Sequence, residues 1–283
     1  MFLKLLNLFR SYYRRWVYGL MAVMVALTIT LTHASPSYGI SWLDLVIQGI
    51  QVVQLSNISN AQEVALGKEI NQQIIRSGQA KIYNNQPIND YINQIGQRLA
   101  QTSKRANIPY TFQVVDDDGI NAFATMGGYV YVNKGLIATA DNEAELASVI
   151  GHEIGHIAAR HAVKQMRERA ISQGLMSAAG LNRSDAVKIG VELAINRPNS
   201  RSDELEADRF GLENLKGAGY APAGMLGFMQ KLLKAGGSTP GFLSTHPATS
   251  DRIKVLQQLV DPATANVGEG LDNQAYRSRI GYL

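Results

Sequence analysis

The 283-residue chain carries a formal net charge of +4, from 27 basic and 23 acidic side chains, and contains no cysteine. Without thiols there are no disulfide staples, no thiolate metal ligands and no acylated-cysteine anchor. Lys4, Arg10, Arg14 and Arg15 are the only charged residues in the first 34 positions, and the rest balances at 23 basic against 23 acidic, so the basic excess does not mark a nucleic-acid-binding surface.

Positions 16–34 are uncharged and mostly apolar, and they end in Thr32 and Ala34, small residues of the kind a leader peptidase reads. Residues 1–34 therefore read as a secretory signal peptide. An uncleaved signal anchor is the alternative, since the run approaches membrane-spanning length. Either way the body of the protein is expected outside the cytoplasm, periplasmic or secreted after cleavage and membrane-anchored without it. Residues 35–60 form an apolar, Gln-rich lead-in that includes Trp42, Leu43, Ile47, Ile50, Val52 and Val53. Its 42–59 part suits an amphipathic helix lying on the protein's own body or on a membrane surface. Residues 61–260 suffice for one domain with its own core, and 261–283, rich in Gly and Asn, read as a loose tail.

Within the domain, residues 61–76 and 87–103 carry Leu and Ile at helical spacing, broken by Gly78 and the Asn84-Asn85 turn. Residues 110–115 alternate as a strand, turned by Asp116-Asp117-Asp118-Gly119. Residues 122–124 and 129–132 are two more short strands, separated by Gly127-Gly128. One long helix is predicted from about 142 to 169, with others at 202–216, 222–234 and 248–260. Gln173, Asn182, Arg183, Asp185, Lys188 and Glu192 keep 171–195 from spanning a bilayer. The fold class is α+β: predominantly helical, with one small β-sheet.

The long helix carries His152-Glu153-Ile154-Gly155-His156. Residues four apart share a helix face, so both imidazoles can hold one divalent zinc, with Glu153 placed to take a proton from a water beside it. A surface helix with scattered polar residues would be the bland alternative. The flanks oppose it: Ala144, Leu146, Ala147, Ile150, Ile154, Ile157 and Ala158 form an apolar stripe, while Arg160, Lys164 and Arg167 mark a solvated one. Histidines on a largely buried helix need partners, and a metal is one.

A catalytic zinc takes a third protein ligand and leaves one position for water. A third His six residues after His156 is absent, since Ala162 stands there. His161 points about 180° away from His152 and reads as a surface or backing residue. The other option is an acid on a later helix, where Glu204 and Asp208 share one face, a ligand with an acid one turn away to orient an imidazole. An ordinary acidic helix start, favoured by the dipole, accounts for the same residues.

Further motifs are Asn121-Ala-Phe-Ala124, Gly127-Gly-Tyr-Val-Tyr-Val132, Gly135-Leu-Ile137, Glu145-Leu-Ala147, Arg160-His161, Glu204-x-x-Ala207-Asp208, Thr245-His246-Pro247 and Arg252. Together with the His-Glu motif they closely resemble the gluzincin metallopeptidases, the family of the CAAX prenyl endopeptidase, HtpX and BepA, over roughly residues 60–260. The resemblance implies Glu204 as third ligand to one Zn2+ per chain, beside His152 and His156. It also implies His246 facing the metal, steadying the oxyanion or closing the site as a fourth ligand. Arg252 would pin the Glu204 carboxylate, with Asp208 behind the ligands. Tyr129, Val130, Tyr131 and Val132, just ahead of the motif helix, correspond to the edge strand on which zinc peptidases dock extended substrate through backbone hydrogen bonds, the alternative being that they form only core sheet.

The implied activity is zinc-dependent endopeptidase cleavage of unfolded or misfolded extracytoplasmic proteins, with no nucleic-acid partner. Membrane contact is expected only through an uncleaved leader or the 42–59 segment. The prenyl protease spans the membrane several times and HtpX carries extra spans; none is expected here after the leader, so prenylated substrates are not, and the chain reads as a stand-alone catalytic domain. The competing reading is a zinc-plugged periplasmic chaperone or assembly factor with little proteolysis.

Overall fold

The computed structural model describes residues 52–177, 180–196, 199–234, 241–247, 250–281 and 283. The leader and the lead-in up to residue 51 lie outside the described residues. The remainder of the lead-in is not helical: it forms strand β1 (Val52–Val53) and a loop that buries Leu55 and Ile58. Ser59 then caps helix α1 (Asn60–Arg76) through a reciprocal capping box with Gln62. Helix α2 (Gln86–Ala100) starts on the Asn85 cap with a proline in its first turn, where a missing N–H costs nothing.

Strands β2 (Thr111–Val115), β3 (Ala122–Thr125) and β4 (Tyr129–Asn133) form a sheet in the order β2-β4-β3. This corrects the expected edge strand: Tyr129–Val132 lie in the central strand, parallel to β2 and antiparallel to β3. Gly127 and Gly128, both at positive φ, fold β3 back along one flank of β4, and β2 occupies the other. Val130, Tyr131 and Val132 are all fully buried. An unbroken apolar run marks a strand covered on both faces, so these residues describe a sheet centre. Val130 and Val132 enter one core with Val114, whereas Tyr131 stacks on Phe123 in a second core facing α1.

After a short helix α3 (Lys134–Thr139), helix α4 (Glu143–Ala158) starts on the Asn142 cap and is buried from Ala144 to Ile157. The helix predicted to reach 169 breaks here. Arg160 adopts φ 58° and ψ 33°, and α5 (His161–Ser172) starts afresh. A left-handed residue other than Gly, Asn or Asp is strained. Arg160 is held there by its guanidinium, 2.7 Å from the Ile58 carbonyl and 2.9 Å from Glu63. Strand β5 (Leu181–Asn182) pairs antiparallel with β1, and α6 (Arg183–Asn196) follows.

The last helices are α7 (Arg201–Gly217), α8 (Ala223–Lys234), α9 (Gly241–Thr245), α10 (Ser250–Leu259) and α11 (Asn273–Ile280). The expected loose tail is thus partly an ordered helix. Asp272 caps α11, Tyr276 and Ile280 are buried, and the Tyr276 hydroxyl donates to the Ile137 carbonyl at 2.6 Å. No helix among the described residues is long and apolar enough to cross a membrane.

The α4–α7 crossing positions the site. A Cβ on Gly155 would lie 2.5 Å from the Ala207 carbonyl oxygen, and one on Gly211 would lie 2.9 Å from the His152 backbone. Small residues at Gly151 and Gly155 on α4, and at Ala207 and Gly211 on α7, let the two backbones meet without intervening side chains. That closeness brings the acidic face of α7 onto His152 and His156.

Candidate metal centre

His152 Nε2 and His156 Nε2 lie 3.0 Å apart, one turn from each other on buried α4. Glu204, in the first turn of α7, places its carboxylate 3.4 Å from His152 Nε2 and 3.3 Å from His156 Nε2. His246 follows α9, and its Nδ1 sits 3.3 Å from His152 Nε2 and 3.0 Å from Glu204 Oε1. All four residues are buried, and one ligand atom from each falls within 4.8 Å of the others. Donors about 2.0–2.1 Å from a tetrahedral ion stand roughly 3.3 Å apart. The observed separations match that spacing, so the nitrogen and oxygen donors fit a metal.

Charge points the same way. Glu153, Glu204 and Asp208 bring three buried carboxylates against one buried guanidinium, Arg252. With neutral imidazoles, two negative charges lack compensation, the charge a divalent ion carries. Neither oxygen of Glu153 has a hydrogen-bond partner among the described residues, although His246 Nε2 is 3.4 Å away. Burial pushes the Glu153 carboxyl up, toward holding a proton. Burial opposes ionisation of Glu204 as well, but His246 and His152 hold it far below the carboxylate range. Burial dominates at His156 and lowers it to about 3. At His152 burial is outweighed by Glu204 and Asp208, which lift the imidazole to about 10. Without a metal, His152 is therefore the group that shares its proton with the carboxylates.

Further charged side chains stand behind the ligand candidates. His152 Nδ1 is 2.9 Å from Asp208 Oδ1. Arg252 donates to both Asp208 oxygens, and its Nη1 lies 2.6 Å from Glu204 Oε2. One guanidinium thereby fixes the acid that supplies a donor and the acid that orients a histidine. His161 is a backing residue and not a surface one: it is buried, with Nδ1 2.8 Å from His156 Nδ1. Glu206, on α7, reaches to 3.3 Å from His161 Nε2. Tyr129–Val132 do not reach the site as an edge; β3 takes that place, since Phe123, Ala124 and Thr125 line the same cleft as Glu153, His156 and His246.

Two residues carry no sequence signal of their own. Asn199 Nδ2 is 3.3 Å from His246 Nδ1, and its backbone N–H donates to the Thr245 carbonyl. Phe242 stacks on the His246 ring, 4.6 Å between centroids. Both fix the His246 turn, Asn199 from across the fold and Phe242 from one turn earlier in the chain.

Residues 87–260 match the model of peptidase family M48. A protein of Vibrio cholerae called a putative beta-barrel assembly-enhancing protease is 35% identical over 72% of this chain and 45% of its own length. The Beta-barrel assembly-enhancing protease of Escherichia coli is 30% identical over 85% of this chain and 52% of its own. Metalloprotease YcaL of Escherichia coli is 28% identical, over 81% of this chain and 92% of its own. The chain spans about half the length of the two assembly-enhancing proteases.

Proposed function

The chain belongs to peptidase family M48, and from that premise we propose that it is a zinc-dependent endopeptidase acting on unfolded or misfolded extracytoplasmic proteins. The observation that carries the reading is the convergence of His152, His156 and Glu204 beside an ionisable Glu153 that has no hydrogen-bond partner among the described residues. His152, His156 and Glu204 would hold one zinc. When bound, zinc supplies Lewis acidity, which eases ionisation of water and polarises the scissile carbonyl.

The chain's own groups do the rest. Glu153 accepts a proton from the attacking water at a carboxylate oxygen and returns it to the departing amine nitrogen. Its raised proton affinity suits both halves of that transfer. His246 presents a ring nitrogen where negative charge develops on the carbonyl oxygen. Asp208 holds the His152 ring through Nδ1 while Arg252 fixes Glu204, so the donors need no reorganisation. An extended substrate would add to β3, which among the described residues pairs with β4 alone and borders the cleft. Backbone pairing selects unfolded segments over particular sequences. The names of the two longer relatives suggest unassembled β-barrel proteins as one source of such segments.

A second reading, a zinc-plugged chaperone with little proteolysis, is favoured by one observation: His246 Nδ1 stands where a fourth ligand would stand. Cleavage of an unfolded protein such as casein separates the two. The protease reading expects cleavage by wild type and a roughly 10²–10⁴-fold loss in Glu153→Gln. Equal rates in both would reject it. If His246 acts as a plug, His246→Ala cleaves faster; if it steadies the oxyanion, His246→Ala loses about 10²–10³-fold.

A further inference from the structure

We infer that His161 is a positioning residue for His156, the central member of a hydrogen-bonded chain running from the metal centre to Glu206, with Asp203 close by. The inference rests on the metal centre proposed above. Its starting point is an asymmetry between the two motif histidines. His152 turns its Nδ1 to a carboxylate, Asp208, at 2.9 Å. His156 turns its Nδ1 to another imidazole, His161 Nδ1, at 2.8 Å.

Two facing ring nitrogens at that distance share a single proton. For His156 to present a lone pair at Nε2, where Glu204 and His152 converge, its proton must sit on Nδ1. His161 Nδ1 then accepts, so the His161 proton must sit on Nε2. That nitrogen faces two carboxylates, Glu206 Oε2 at 3.3 Å and Asp203 Oδ1 at 3.6 Å. Each tautomer thus dictates the next. In the opposite arrangement His161 donates to His156, and the His156 proton points into the donor cluster, where it blocks metal binding. The carboxylates at the far end select the first arrangement.

The local fold exists to make this contact. A straight continuation of α4 would carry His161 away from the site, on the face opposite His152. The left-handed Arg160 ends α4 and redirects the chain, and His161 becomes the first residue of α5, buried and turned back toward His156. Lys164 neutralises Asp203 at 2.8 Å, which leaves the half-exposed Glu206 as the acceptor whose charge is not already matched at close range. One ligand arm is therefore anchored internally by Asp208 and Arg252, and the other reaches the surface through His161.

The test is zinc affinity of the full chain, measured by competition with a chromophoric chelator, for wild type, His161→Asn and His161→Phe. Asn offers Oδ1 close to the position of the lost Nδ1, whereas Phe preserves the ring volume and removes the acceptor. The inference predicts a 10–100-fold loss of zinc affinity in His161→Phe, only a few-fold loss in His161→Asn, and a Co2+ absorption spectrum altered in Phe alone. A residue that merely packs would give the reverse order. Should His161→Phe fail to fold, ring 15N shifts of the zinc-loaded wild type decide: protonation of His161 at Nε2 supports the inference, and at Nδ1 overturns it. Wild type that binds zinc but cleaves nothing leaves the inference standing and removes the protease reading. Wild type that binds no zinc removes both.

Discussion

Two buried ionic clusters adjoin the C-terminal half of α4, and they solve different problems. Near the C-terminal end Glu63 receives a bidentate Arg105 at 2.9 and 3.0 Å and a second guanidinium, Arg160, at 2.9 Å. Arg105 also donates to the Ile157 carbonyl, in the last turn of α4, where the helix dipole favours positive charge. This cluster is self-sufficient: its acid is matched, and its surplus positive charge faces a helix C-terminus. The other cluster, around His152, Glu153, Glu204, Asp208 and Arg252, has more carboxylates than cations and aims its donors at one point. A buried ionic group that is already satisfied pins the fold. One with a deficit implies a missing partner.

The largest expected effect sharpens that contrast. Glu153→Gln removes the general base and none of the donors, so proteolysis should fall about 10²–10⁴-fold with zinc content and Tm unchanged. Loss of zinc in this variant would show that Glu153 belongs to the ligand set. Next, Arg105→Ala leaves Glu63 buried with half its partners and should cost about 3–5 kcal/mol, read by urea unfolding. Because that cluster needs no ion, adding zinc should not narrow the gap to wild type. For Arg252→Met, which unpins Glu204 and Asp208, a similar loss is expected in the metal-free protein, with partial recovery when zinc is added.

Gly155→Ala should cost about 1–3 kcal/mol, because its methyl meets the Ala207 backbone at 2.5 Å and neither helix can yield alone. It should also weaken zinc binding by shifting α7 off the histidines. Unchanged affinity would mean the close crossing is not what sets the donor spacing. The smallest effect concerns pH. In the metal-free protein His152 is raised to about 10, so its contribution to stability is full below about pH 6.5 and disappears as pH climbs toward 10. Metal-free protein should therefore lose Tm over that interval. Zinc-loaded protein, with His152 neutral throughout, should not. Zinc uptake at pH 8 should release about one proton, measurable by calorimetry in buffers of different ionisation enthalpy.

What was legible in the sequence is what is local. His152, Glu153 and His156 sit within one turn and a half, and helical geometry alone puts the two imidazoles together. Glu204 and Asp208 are also one turn apart, but nothing local says which helix they face. There the resemblance supplied the pairing, and the small residues at Gly151, Gly155, Ala207 and Gly211 give it a physical cause. Lateral order in the sheet was not legible, because chain order does not say on which side of β4 a parallel β2 will lie. The clue was the unbroken Tyr129–Val132 run, which fits a strand covered on both faces. The break at Arg160 was hidden as well. Its strain is offset by Ile58 and Glu63, about a hundred residues earlier in the chain. Asn199 touches His246 only through the fold, whereas Phe242 is local to it, one turn earlier.

The central claim is that His152, His156 and Glu204 gather one divalent ion while Glu153 stays free to move a proton. Metal analysis of the purified full chain, alongside Glu153→Gln and Glu204→Ala, tests it directly. The account predicts one zinc per chain in wild type and in Glu153→Gln, and none retained in Glu204→Ala after dialysis. Zinc held equally by Glu204→Ala, or absent from wild type grown with ample zinc, would contradict it.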